Sequence, residues 1–251
     1  MALDLRVSLD KGSLQAQLAK LSHGEIRTAT AYALNMLAAN GKRAVVDQMK
    51  EVFDHPNPFT LNGFFVRLAT ADTLSAWVAS KDYAPNGTPA IRYLGPQIHG
   101  GQRDMKRSEK ALAALSGGQY WVPGPGAPLD QYGNLRPGEM TRILSRLGLM
   151  HDAASNLTDR TARRLAKQGK AAKGQRSEYF VARERGNGRP KGIYKLVGPG
   201  KVTAILLFTP RAPTYRVRLP VDQIVQQAFM ARQDRVVAAA LRRVLKNRLG
   251  G

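Results

Sequence analysis

The segment that most restricts the fold is "VTAILLFTP", beginning at Val202. It is apolar on both alternating sets, with Val202, Ala204, Leu206 and Phe208 on one side and Ile205 and Leu207 on the other. Side chains alternate across a strand, so a strand of this composition needs cover on both faces and is expected in the middle of a sheet. Two further β-like runs precede it, "SEYFVARE" and "GIYKLV", and a fourth strand is expected at about Thr73 to Lys81.

The ends of the chain read as helices. From Gly24 to Phe53 there is no proline, and Ile26, Ala33, Leu37, Val45, Met49 and Val52 recur at near multiples of three and four, the spacing of one helical face. "DHPNPF" stops it, because proline lacks the amide donor and restricts the residue before it. A closing helix is expected from Val221 to Leu249, apolar at Val225, Phe229, Val236, Ala240 and Val244 and basic at Arg235, Arg242, Arg243, Lys246 and Arg248. Together these give an α+β fold, a small and mostly antiparallel sheet packed with a long N-terminal and a long C-terminal helix.

Between them, Tyr83 to Gly148 is rich in glycine and proline ("YAPNGTP", "VPGPGAPLDQYGNLRPG") and reads as an extended loop-built excursion with a short helix at about Asp104 to Leu115. The expected organisation is a core of residues 1–82 and 177–251, an arm of 83–150, and a basic helix or linker of 151–176.

A length of 251 residues allows a real core without staples, and the chain has no cysteine and only four histidines, so disulfide and thiolate-metal frameworks are excluded. No metal or cofactor is expected. The opening "MALDLRVSLDKGSLQAQ" lacks the continuous apolar stretch of a secretory signal, and no run of about 18 apolar residues occurs, so the chain reads as soluble and cytoplasmic. The formal charge of +21 attracts phosphate backbones, acidic protein surfaces or anionic lipid.

Few strings suggest catalysis. "LSGGQ" at Leu115 to Gln119 matches the signature of ABC-type ATPases, but "KLVGPGKVT" is no phosphate loop: Lys195 stands where glycine is required and Val202 where Ser or Thr is required. The pentapeptide follows a helical run rather than opening one, so Leu115 should end a helix and Gly117 or Gly118 should take positive φ as a cap. His99 in "QIHGGQR" has no Gly-x-Ser-x-Gly elbow to serve. The pairs Asp152/Asp159 and Glu178/Glu184 are more simply partners of neighbouring cations.

The basic run Arg160, Arg163, Arg164, Lys167, Lys170, Lys173 and Arg176 has spacings of three to four. If helical, it presents one cationic stripe suited either to a phosphate backbone or to an acidic protein face, without a recognised base-reading motif.

"RTATAYALNMLAANGKRAVVDQMKEVF" followed by "FTLNGFFVRLATADTLSAWVASKD", and "GIYKLVGPGKVTAILLFTPRAPTYRVRLPVDQIVQQAFMARQDRVVAAALRRVL" at the other end, resemble the phage minor tail protein Z family. These are the tail-completion proteins of long-tailed phages. The shared pattern is an Ala-x-Ala-Leu-Asn-like helix at Ala31 to Asn35 before a first strand, then a Gly-x-Tyr strand, an apolar strand from Lys201 to Phe208 where the family carries a Lys-x-x-x-Leu-x-Phe-like run, an Arg/Pro-rich connection and a closing helix. The middle strings "AIRYLGPQIHGGQRDMKRSEKAL" and "VPGPGAPLDQYGNLRPGEMTRILSRL" resemble a longer version seen in prophage morphogenesis proteins.

The resemblance implies a non-enzymatic virion component, made in the host cytoplasm: a sixfold homo-oligomeric ring at the head-proximal end of the tail. Its partners would be tail tube or terminator proteins, head–tail connector proteins and the genomic DNA passing through the lumen, with no membrane. The basic stripe would then meet DNA or acidic faces of adjoining rings. The arm, through Tyr120, Trp121, Pro123, Leu129 and Tyr132, would touch a neighbouring subunit. A free DNA-binding accessory protein, acting in packaging or recombination, is the alternative.

Overall fold

The computed structural model describes residues 23–85, 87–136 and 138–249, with side chains described to Val244. The expectation for the opening segment, and the side chains of Lys246 and Arg248, lie outside these residues. The fold is α+β, as the sequence implied. It divides into two compact units, Met1–Gly101 with Tyr215–Gly251, and Gln102–Thr214.

In the first unit, α1 (His23–Val52) carries the buried stripe Ala29, Ala33, Leu37, Val45 and Met49. A short helix α2 (Pro58–Leu61) comes next, held by Asn57, whose side chain accepts from the Thr60 backbone. Strands β1 (Phe64–Arg67) and β2 (Trp77–Ser80) then form a two-stranded antiparallel ribbon in the register Phe64↔Ser80 to Arg67↔Trp77. The Asn35 amide donates to Ala69 O (3.0 Å) and accepts from Ala69 N (2.7 Å), fastening the chain leaving β1 to α1. Helix α3 (Ala90–His99) buries Ala90, Leu94 and Ile98, which join Val45, Met49, Phe64, Val78, Leu219 and Val225 in one apolar core.

The C-terminal segment is two helices, not the single one expected. Helix α7 (Val221–Met230) is separated from α8 (Gln233–Leu249) at Ala231–Arg232. There the backbone tightens to a bond from Arg232 N to Phe229 O (3.0 Å), and Arg232 donates to the Asn40 side chain (3.3 Å). Each helix keeps its own seat on α1. A Cβ on Gly41 would lie 3.0 Å from Val225 Cγ1, and Ala240 and Leu241 pack with Ala29 and Ala33. Small side chains on α1 thus admit close helix neighbours.

The second unit is built on a four-stranded antiparallel sheet in the order β4 (Tyr120–Pro123), β7 (Lys201–Thr209), β6 (Pro190–Gly198), β5 (Tyr179–Arg183). The doubly apolar strand is therefore β7, between two neighbours, with Ala204, Ile205 and Leu206 all buried. Helices α4 (Arg107–Ser116) and α5 (Glu139–Arg146) contribute Leu112 and Ile143 to the core that Trp121, Tyr179, Ile193, Ile205 and Leu206 complete. Helix α6 (Asp159–Lys167) leads to β5. Two-residue strands β3 (Gly101–Gln102) and β8 (Thr214–Tyr215) pair with each other.

This division differs from the expected one. Residues 102–150 are not an excursion from a core shared by both chain ends, because β4 supplies an edge of the same sheet as β5, β6 and β7. Glycine in "VPGPGAP" serves close packing rather than loop freedom. A Cβ on Gly124 would sit 2.5 Å from Ala204 O, and one on Gly126 would sit 2.2 Å from Thr203 Oγ1.

Gly192 in β6 is tighter still, with an added Cβ 2.1 Å from Leu206 O, whereas Gly198 in the same strand has nothing within 4 Å and no positive φ. Gly192→Ala is expected to destabilise the second unit by about 1–3 kcal/mol, as overpacking of a fitted core does. Gly198→Ala should be near neutral in the same urea titration. Equal effects would mean that β6 and β7 approach each other less closely than these distances require.

Candidate nucleic-acid interface

Helix α6 begins at Thr158, whose side-chain oxygen accepts from Thr161 N (3.3 Å), and Asp159 adds a negative charge in its first turn, the end where the helix dipole favours one. At about 100° of rotation per residue, Arg160, Arg163, Arg164 and Lys167 fall on one face. Leu165, 7% exposed, is on the other. The four cations are exposed, and among the described residues none of them makes an ion pair.

The helix stops at Lys167 because Gly169 takes a left-handed φ of 64° and Lys170 N returns to Leu165 O (2.9 Å), a glycine-capped ending. Lys170, Lys173 and Arg176 therefore lie on the connection to β5, exposed but outside the helical stripe. Arg176 pairs with Asp159, which ties the end of that connection to the start of the helix. Of the seven residues expected to act together, four share a helix face and three lie on the segment after it, of which Arg176 is tied back to the start of the helix.

The expected arm is largely folded into the second unit. Trp121 is 6% exposed, opposite Phe208 in the β4–β7 ladder, and its ring nitrogen donates to Ser108 Oγ (3.2 Å). Trp121 is core, not a subunit contact, and Tyr120 and Pro123 are ladder residues beside it. Leu129 and Tyr132 belong to a closed turn: Leu129 bridges to Leu135, and Asp130 accepts from Tyr132 N and Asn134 N (both 2.9 Å). Leu129 remains exposed there and Tyr132 half-buried.

The other motifs resolve locally. Helix α4 runs one residue past Leu115, to Ser116, and both Gly117 (φ 66°) and Gly118 (φ 75°) are left-handed. Gly118 N returns to Ala113 O (3.1 Å). "LSGGQ" is a helix cap, and "VGPGK" is the β6–β7 turn, with Gly200 at φ 67°. Asp152 accepts from Ser155 Oγ (2.8 Å) and Ala154 N (3.1 Å), and these bonds, Ser155's first, hold its carboxyl below the usual range. Glu178 lies 3.5 Å from Arg146, and Glu184 accepts from the Asn187 amide (2.8 Å). Among the described residues no three acidic or histidine side chains are grouped to hold a metal ion, and no helix is long and apolar enough to cross a membrane.

Two features were not anticipated. The first is Glu109, fully buried. Its carboxylate accepts from Arg103 (2.7 and 2.6 Å), from Lys106 N (2.6 Å) and from Trp121 N (3.2 Å). Burial opposes its charge, but these bonds outweigh it and hold the carboxyl below its ordinary range. The second is "RERGNGRPK" at the β5–β6 turn, whose Arg183, Arg185, Arg189 and Lys191 are all exposed. The density of cations in that string was its legible signal.

Comparison with protein-family models, with curated proteins and with solved structures gives no match.

Proposed function

We propose that this chain is a non-enzymatic phage virion protein of the tail-completion or neck type. In this reading it is a subunit of a homo-oligomeric ring that joins tail to head and surrounds the DNA path. The observation that carries the reading is the α6 face, four exposed cations set opposite a buried leucine, in a chain of net charge +21. The sequence resemblance at both chain ends supports it independently.

A ring threaded by DNA needs this kind of lining. Phosphate contacts hold the duplex in any register and carry no sequence information, so their attraction is general and salt-dependent. Base-specific contacts would stall a passing genome. The acids Asp152, Asp159, Glu109, Glu139, Glu178 and Glu184 do not compete with that role, since each has a structural partner.

A phage whose copy of this reading frame is deleted should make heads and tails that fail to join, or joined particles that do not hold or deliver DNA, and supplying the chain in trans should restore infectivity. Fully infectious particles without it would refute the reading. A free DNA-binding protein would share the cationic face but be absent from purified particles.

A further inference from the structure

We infer that the tip of the β5–β6 hairpin, residues 183–191, is a second binding site for duplex nucleic acid, one that grips phosphates without reading bases. The inference rests on the reading of this chain as one that meets DNA. It concerns a surface separate in sequence from α6.

The tip concentrates charge. Arg183, Arg185, Arg189 and Lys191 are exposed, and Arg211, just beyond the end of β7, is exposed as well. The ladder puts that end of β7 at the same end of the sheet, since Leu207 pairs with Gly192 and Ile193 with Leu206. Among the described residues none of these five makes an ion pair. The one acid in the turn, Glu184, is held by Asn187 instead of by an arginine.

The tip is also ordered before any ligand arrives. Glu184 N donates to Arg189 O (2.8 Å) and Gly188 N to Glu184 O (3.2 Å). Asn187 Oδ1 accepts from Arg189 N (2.9 Å), and Arg183 donates to Gly188 O (3.0 Å). Gly186 and Gly188 supply the left-handed turns at φ 97° and 66°. A tip fixed by its own backbone loses less entropy on binding than a free loop.

The composition selects the ligand. Residues 184–191 contain no aromatic side chain, and single-stranded sites depend on aromatics to stack bases. They contain no large apolar side chain either, so they lack the apolar face that inserts into a membrane surface. A cationic two-stranded ribbon, with strands about 4.8 Å apart, fits the major groove of a duplex, about 12 Å wide. Arginine and lysine there reach phosphates on the groove walls.

The test is binding of the full-length chain to a 5′-labelled duplex of mixed sequence, about two to three helical turns long so that several phosphates are in reach, measured by anisotropy across a salt series. Arg185→Gln/Arg189→Gln/Lys191→Gln should weaken binding and lower the slope of log affinity against log salt by about two to three, since each phosphate contact contributes about 0.9. Arg185→Lys/Arg189→Lys/Lys191→Arg keeps the charges and should retain most of the slope. If the wild type binds and the Gln variant keeps its slope, the tip serves another partner, such as an acidic protein, and this inference is overturned while the wider reading stands. If the wild type does not bind duplex even at low salt, both this inference and the DNA-contacting part of the proposed function fall.

Discussion

Replacing Arg103 with methionine is expected to destabilise the second unit by about 3–5 kcal/mol, the cost of removing one partner from a buried ion pair. Glu109 is fully buried and the Arg103 side chain 11% exposed, so the variant leaves a carboxylate out of water with only the Lys106 and Trp121 amides to satisfy it. Methionine preserves the length and apolar stem of the side chain, which limits lost packing as a competing cause. Trp121 is itself bonded to Glu109, so its fluorescence, read in a Trp77→Phe background, reports unfolding of this unit.

The loss should depend on pH in a defined direction. The folded-state pKa of Glu109 is depressed, so its contribution to wild-type stability is fully present above the unfolded value, about 4.3, and is lost as pH falls through the folded value. In the variant that depression is removed, because its principal charged partner is gone. The gap between wild type and variant should be widest near neutral pH and should close as pH drops below about 4. A gap independent of pH would mean that Arg103 contributes by packing alone.

Local rules carried much of the fold. The both-faces-apolar run at Val202 belongs in the interior of a sheet, where Ala204, Ile205 and Leu206 are buried, and "LSGGQ" after a helical run is met by glycine caps. Both are statements about nearest neighbours. The pairing of β4 with β7 was not legible, because "YWVPGPG" has the glycine and proline content of a loop. Gly124 and Gly126 are there because Ala204 and Thr203 approach too closely for a side chain, a fact that only the folded partner strand supplies. Arg103 and Glu109 were hidden for a similar reason, since six residues apart and across a helix start they match no helical pairing.

The candidate interface was legible as far as periodicity reaches. Arg160, Arg163, Arg164 and Lys167 share a face as their spacing requires, and Gly169 then ends the helix, which takes Lys170, Lys173 and Arg176 off it. The β5–β6 tip shows no helical period, so a search for stripes passes over it.

Neutralising α6 should have the largest effect on binding. The Arg160→Gln/Arg163→Gln/Arg164→Gln/Lys167→Gln variant keeps Leu165, the Thr158 cap and good helix formers at every changed position, so the helix should persist by circular dichroism. The slope of log duplex affinity against log salt is expected to fall by about three to four, one increment near 0.9 for each phosphate that is no longer neutralised. Changing Arg176, which already has Asp159 as a partner, should matter far less. An α6 variant with unchanged affinity and slope would move the DNA contact elsewhere on the chain and leave this helix facing a protein.

The most direct test of the central claim is quantification of this chain in purified phage particles, with its position located by imaging. A small fixed number of copies per particle, consistent with one ring, is expected at the junction of head and tail. Absence from particles that are otherwise complete and infectious would contradict it.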